Sequence, residues 1–162
     1  MFRQMLKIKQ MLKAEDLQAV MERCTAGTMA CLGDEGYPYS VPLSFVYHKE
    51  KIYFHSAKIG HKVDAIKANS KVSFSVIDED TIISAEYTTY FRSAIAFGKA
   101  RITEGDERIE GFKALVEKYS GDQPEDAKLK EIMGCSGALI IAIDVEHIIG
   151  KEAIEYVKAK QN

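Results

Sequence analysis

The chain of 162 residues has no tryptophan, three cysteines and three prolines. Cys24, Cys31 and Cys135 are odd in number, far apart and without Cys-x-x-Cys spacing. That pattern argues against a disulfide framework or a zinc site and suits reduced thiols in a cytoplasm. Formal net charge is only −2, with the two signs interspersed, so there is no electrostatic footprint for nucleic acid and no charged tail. No apolar run approaches the length of a membrane span, and no membrane partner is expected. The four histidines, His48, His55, His61 and His147, show no i, i+4 pairing and no carboxylate spacing, so no metal is expected. Met1 to Lys13 carries four Lys/Arg but no apolar segment or cleavage site follows, so no signal peptide is expected and the location expected is cytoplasmic. There is no internal repeat and no low-complexity tract.

What remains is a chain with 46% hydrophobic and 28% charged residues, the balance of a globular protein. Its length suits one domain, read as 14–162, preceded by an N-terminal extension, 1–13. Leu17, Val20, Met21 and Cys24 fall at i, i+3, i+4 and i+7 and predict a helix over Ala14 to Cys24. Thr28 to Leu32 reads as a strand, closed by the turn-rich Gly33-Asp34-Glu35-Gly36. From Pro38 to Tyr47, Val41, Leu43, Phe45 and Tyr47 alternate with smaller or polar residues, as in a strand with one covered face. Pro42 cannot donate to a ladder and places that strand at an edge, at a bulge or beside a ligand.

Ile52 to Ser56 returns as the hairpin partner. A short helix from His61 to Ala68 follows, ended by Asn69, which tolerates a left-handed C′ position. Val72 to Val76 and Ser93 to Ile102 are further strands. The second has Ala94, Ala96, Gly98 and Ala100 on one face, leaving room for another backbone or a flat ligand. Glu107 to Ser120 and Asp126 to Met133 read as helices, and Gly137 to Val145, apolar on both faces, as a covered central strand. About six antiparallel strands without βαβ alternation predict a mainly β, α+β barrel with peripheral helices. No Gly-x-Gly-x-x-Gly follows a strand, so a Rossmann sheet is not supported.

The chemistry concentrates in Ile52-Tyr53-Phe54-His55-Ser56-Ala57-Lys58-Ile59-Gly60-His61-Lys62. A strand ends at a hydroxyl and passes through a glycine-containing loop into a helix whose first turn is basic. Open N–H groups and partial positive charge at a helix start favour an anion. Ser56 as a donor and Lys62 as a point charge complete a plausible phosphate pocket, although ordinary surface lysines at a helix start fit the same local pattern.

Four segments occur in one order: Gly36 to Leu43, Ile52 to Lys62, Asn69-Ser70-Lys71-Val72-Ser73-Phe74, and Tyr90 to Ala100. Together they resemble the pyridoxamine 5′-phosphate oxidase-like split barrel, in detail its nitroimidazole-resistance branch, over about Thr28 to Lys151. The resemblance implies FMN as cofactor and a homodimer with the flavin at the interface. It further implies that Tyr39, Ser40, Val41, Pro42 and Leu43 lie along the ring and ribityl chain. His55 and Ser56 would contact the cofactor, with Ser56 near phosphate. His61 and Lys62 would bind phosphate, His61 standing where arginine is usual, and Ser93 would face the ring from the other subunit. His55 is a candidate catalytic residue, though a role limited to packing on the cofactor is the simpler reading.

The resemblance implies an oxidoreductase passing electrons from a reduced nicotinamide to a small acceptor such as a nitroaromatic or quinone-like compound. A non-catalytic flavin carrier or sensor, and a haem-binding member of the same superfamily, are the alternatives. The segment with tryptophan and arginine that holds substrate phosphate in pyridoxamine-phosphate oxidases has no counterpart, which argues against that substrate. Arg92, in the aromatic stretch Tyr87 to Arg92, could recognise an anion.

Overall fold

A computed structural model describes residues 2–135 and 137–160. Seven strands form one antiparallel sheet: β1 (Ala26–Leu32), β2 (Pro38–Ser44), β3 (Val46–His48), β4 (Lys51–Ala57), β5 (Lys71–Ile83), β6 (Thr88–Ile102) and β7 (Ala138–Glu152). Their order across the sheet is β2-β1-β5-β6-β7-β4-β3. Among the described residues five α-helices accompany them: α1 (Ala14–Arg23), α2 (His61–Ala68), α3 (Gly105–Ser120), α4 (Glu125–Gly134) and α5 (Ile154–Ala159). No helix is long and apolar enough to cross a membrane among the described residues.

The two edges of this sheet, β2 and β3, are consecutive in the chain and separated only by Phe45. The sheet must therefore curl until its edges approach, yet no ladder joins them. The result is a barrel with a split in its wall. Pro42 sits on β2, the edge strand, where its missing N–H costs no ladder bond.

Period-two alternation sorts side chains to two sides of the wall. Inside lie Met29 and Cys31 of β1, Ile52 and Phe54 of β4, Val72, Phe74 and Val76 of β5, and Ile141 and Ile143 of β7, sealed by Val20 and Met21 of α1 and Ile66 of α2. Outside, a second core joins Tyr53, Ile140 and Ala142 to Phe112, Leu115 and Val116 of α3 and Ile132 of α4. Strands β4 and β7 are thus covered on both faces, as the unbroken apolar run in β7 requires. Gly111 permits this closeness, since a Cβ there would lie 2.6 Å from the Tyr53 ring.

Several expectations are corrected. The single strand expected over Pro38 to Tyr47 is broken at Phe45, where the chain leaves β1 and joins β4. Strands β5 and β6 continue well past the expected Val72 to Val76 and Ser93 to Ile102 as one long hairpin, with a bulge between Ile77 and Glu79. Of the two occupants expected beside the small residues of β6, the backbone is the one found: Gly98 lies against the Asp144 carbonyl, while Ala94, Ala96 and Ala100 face the chain's own core. Asn69 is extended, with φ −146°, and its Oδ1 accepts from the Lys71 amide rather than supporting a left-handed turn.

Candidate functional site

Strand β4 runs out at Ser56 and Ala57, and α2 begins four residues later at His61. Ser56 alternates with Ile52 and Phe54 and so points into the barrel. Its Oγ is buried without a hydrogen-bond partner, the one such side-chain atom among the described residues. A buried, unpaired hydroxyl costs on the order of 1–3 kcal/mol, and a fold keeps such a group where something else satisfies it.

The start of α2 lies next along the chain. Gly60 adopts φ 132°, a conformation that side chains disfavour, and its carbonyl accepts from the amides of Val63 and Asp64. The His61 and Lys62 amides remain as open donors of the first turn. Lys62 has no ion pair among the described residues. His61 behaves differently. Its ring stacks on Tyr39 with centroids 4.1 Å apart, and the Asp34 amide donates to Nε2 at 3.4 Å. When protonated, the same atom faces the Asp34 carboxylate at 3.7 Å. In either state His61 ties α2 to the turn between β1 and β2. Gly33 makes the space, for a Cβ there would lie 3.1 Å from Nε2.

The remaining candidates divide between the two sides of the wall. Tyr39, Val41 and Leu43 turn inward and pack on the core. Ser40 and Pro42 turn outward, opposite Ala30 and Thr28, in rows that continue through Ser73 and Ser75 to Phe97 and Ile95 of β6. Ser93 lies on that same outer face, opposite Ile77 and Lys151. Leu32, Ile77 and Ile95 are exposed on it as well. His55 and Ser56 therefore point to opposite sides, and within one chain Ser93 is not gathered with Ser56.

His55 projects outward from β4 into a cleft of about 530 Å³ between the strands and the α3–α4 pair. The cleft spans the split, with Ser44 at the end of β2 and His55 on β4, over Phe112, Leu115 and Tyr119 of α3 and beside Lys128 and Glu131 of α4. Lys128 is held by Glu117 at 3.0 Å and Glu125 at 2.6 Å, and these carboxylates raise its pKa. The helical spacing of Phe112, Leu115 and Tyr119 is visible in the sequence, but the strand they would face is not.

Arg92 is not available to an external anion. Its guanidinium meets Asp78 at 3.1 Å and Glu152 at 3.4 Å and lies over the Tyr156 ring at 4.9 Å. Burial works against ionisation of Asp78, but Arg23 and Arg92 outweigh it and hold its pKa below the ordinary value. No group of three or more His, Cys, Asp or Glu side chains is placed to hold a metal among the described residues.

A family model described as pyridoxamine 5′-phosphate oxidase matches residues 13–152. No curated protein matches the chain in sequence. Among solved structures, a candidate 5-nitroimidazole antibiotic resistance protein of Bacteroides thetaiotaomicron is 20% identical, over 88% of this chain and 86% of that one, with a TM-score of 0.72. A conserved hypothetical protein of Mycobacterium tuberculosis is 17% identical, over 93% and 90%, with a TM-score of 0.77. An FAD- and haem-binding protein of Mycobacterium smegmatis is 17% identical, over 95% and 80%, with a TM-score of 0.70. At these identities the likeness is one of fold.

Proposed function

The chain belongs to the pyridoxamine 5′-phosphate oxidase family, and from that premise we propose that it is an FMN-binding oxidoreductase acting as a homodimer. The observation that carries the reading is the buried, partnerless Ser56 hydroxyl five residues ahead of the open first turn of α2. The residues present fit a phosphate-bearing flavin. Ser56 supplies a hydrogen bond, the His61 and Lys62 amides supply two more donors, and Lys62 supplies charge. His61 holds the helix start in place from the side. Bound flavin would supply electron transfer from a reduced nicotinamide to a small acceptor, such as a nitroaromatic or quinone-like compound.

The dimer reading has its own support. The outer face shared by β1, β5 and β6 presents Leu32, Ile77 and Ile95 to solvent, 47%, 71% and 41% exposed. An apolar face of this kind marks an interaction surface. A second copy placed there would bring its Ser93 to the interface that the first copy's Ser40 and Pro42 also face.

The test is the visible absorption spectrum of the purified protein, with identification of the cofactor that heat releases. A flavin band and released FMN uphold the reading, and released FAD keeps the flavin but corrects its form. A Soret band without flavin moves the protein to the haem-binding branch. A colourless protein that takes up no added FMN removes the proposal.

A further inference from the structure

The cleft beneath α3 and α4 is distinct in chemistry from the phosphate-binding end of the barrel. We propose that it binds a small planar aromatic molecule that carries no negative charge. This goes beyond the oxidoreductase reading by naming a second ligand site, and it does not rest on that reading for binding.

Three observations carry the assignment. The cleft, at about 530 Å³, has the size of a small-molecule site, and its floor of Phe112, Leu115 and Val116 is apolar. Polar groups ring that floor, with Ser44 and His55 on the strand side and Tyr119, Ser120, Gln123, Lys128 and Glu131 on the helix side. His55 stands on the β4 side, with no hydrogen-bond partner among the described residues, and Glu131 stands on α4. The third observation is charge. Among the described residues the only ammonium lining the cleft, Lys128, is already engaged by Glu117 and Glu125 outside the lining, and Glu131 lines the cleft itself. With Lys128 already neutralised by its two partners, the Glu131 carboxylate on the cleft wall is left to repel an anion and admit a neutral or cationic ring. The phosphate end has the opposite character, with Lys62 and two open amides. The two regions also lie on opposite sides of the wall, since His55 and Ser56 are adjacent residues of one strand.

The experiment compares two ligands of nearly the same shape, para-nitrobenzyl alcohol and para-nitrobenzoate. Their binding to the purified full chain is followed by calorimetry and by chemical-shift changes, with and without added FMN. The neutral ligand is expected to bind, and the anion about tenfold more weakly or worse. Ala127→Trp adds bulk to an exposed position of α4 that lines the cleft. It should abolish binding of the alcohol while FMN uptake and the unfolding temperature stay unchanged. Glu131→Lys, also at an exposed position, should narrow or reverse the preference between the two ligands.

Equal binding of alcohol and benzoate, no binding of either, or binding indifferent to Ala127→Trp would each overturn the assignment. Displacement of the alcohol by FMN would overturn it too, by making the cleft the seat of the flavin ring. Binding of the alcohol by a chain that takes up no flavin would leave this site standing and remove the flavin reading alone.

Discussion

The Tyr119 hydroxyl takes both backbone groups of Phe45, accepting from its N–H at 2.8 Å with its carbonyl oxygen also at 2.8 Å. Phe45 is the residue at which the chain passes from one edge of the sheet to the other, so no ladder serves it. The Thr25 carbonyl also lies within reach of the same hydroxyl. One phenol from α3 thereby satisfies the break in the barrel wall, and Lys118 beside it lies over the Phe45 ring at 4.5 Å.

Tyr119→Phe keeps the ring and removes the hydroxyl, which strands the Phe45 amide. It should cost about 1–3 kcal/mol, the price of a buried unpaired donor, read as a lower urea midpoint at unchanged slope. An unchanged midpoint would mean that water serves the break equally well.

Lys62→Ala and His61→Ala separate the two basic residues at the start of α2. Lys62 has no ion pair among the described residues, whereas His61 is tied to Tyr39 and Asp34. Loss of Lys62 should weaken FMN retention by about tenfold, in line with removal of one charge-assisted contact. Loss of His61 should lower the unfolding temperature more than it lowers phosphate affinity. A free riboflavin control, lacking phosphate, should respond to neither change by more than a small factor.

Acid sensitivity should centre on Glu107. Hydrogen bonds from Arg101 and then Lys51 draw its pKa from 4.5 down to about 2. A depressed carboxylate contributes stability above its unfolded value, and that contribution is lost as pH falls from about 4.5 through about 2. Glu107→Gln should therefore flatten the decline of the urea midpoint within that window and leave the neutral-side profile parallel to the parent. A variant that declines as steeply as the parent would place the acid response on other carboxylates.

Ile77→Glu tests the outer sheet face. Ile77 is 71% exposed in the single chain, so the change disturbs no core. Analytical ultracentrifugation should find a dimer for the parent and a monomer for the variant, with flavin lost alongside. A parent that sediments as a monomer with bound flavin would sink the shared-interface arrangement.

The sequence carried the local chemistry of this fold more legibly than its connections. α2 was read at its observed bounds because His61, Lys62 and the preceding Gly60 mark a helix start that tertiary packing does not override. Pro42 narrowed its strand to an edge, a bulge or a ligand's side, since a missing donor has the same meaning in any sheet, and the sheet order selects the edge. The full β5–β6 hairpin stayed hidden because Asp78-Glu79-Asp80 interrupts the alternation, and the bulge there shifts its phase. The break at Phe45 was illegible for another reason: an apolar residue in an alternating run looks the same whether or not its neighbour strand changes. Period two implies the opposite facing of His55 and Ser56, although the family resemblance assigns both to the cofactor. What the spacing could not supply was which side holds a cleft, since that depends on where α3 and α4 settle.

Phe45 couples the two edges of the sheet more tightly than any ladder bond. A residue inserted or deleted within 38–48 has no free end at which to be absorbed. It shifts either the pairing of β2 with β1 or that of β3 with β4, and each shift turns a whole row of side chains to the wrong side of the wall. This segment should therefore tolerate substitution but not change of length, and its spacing acts as a ruler for the whole barrel.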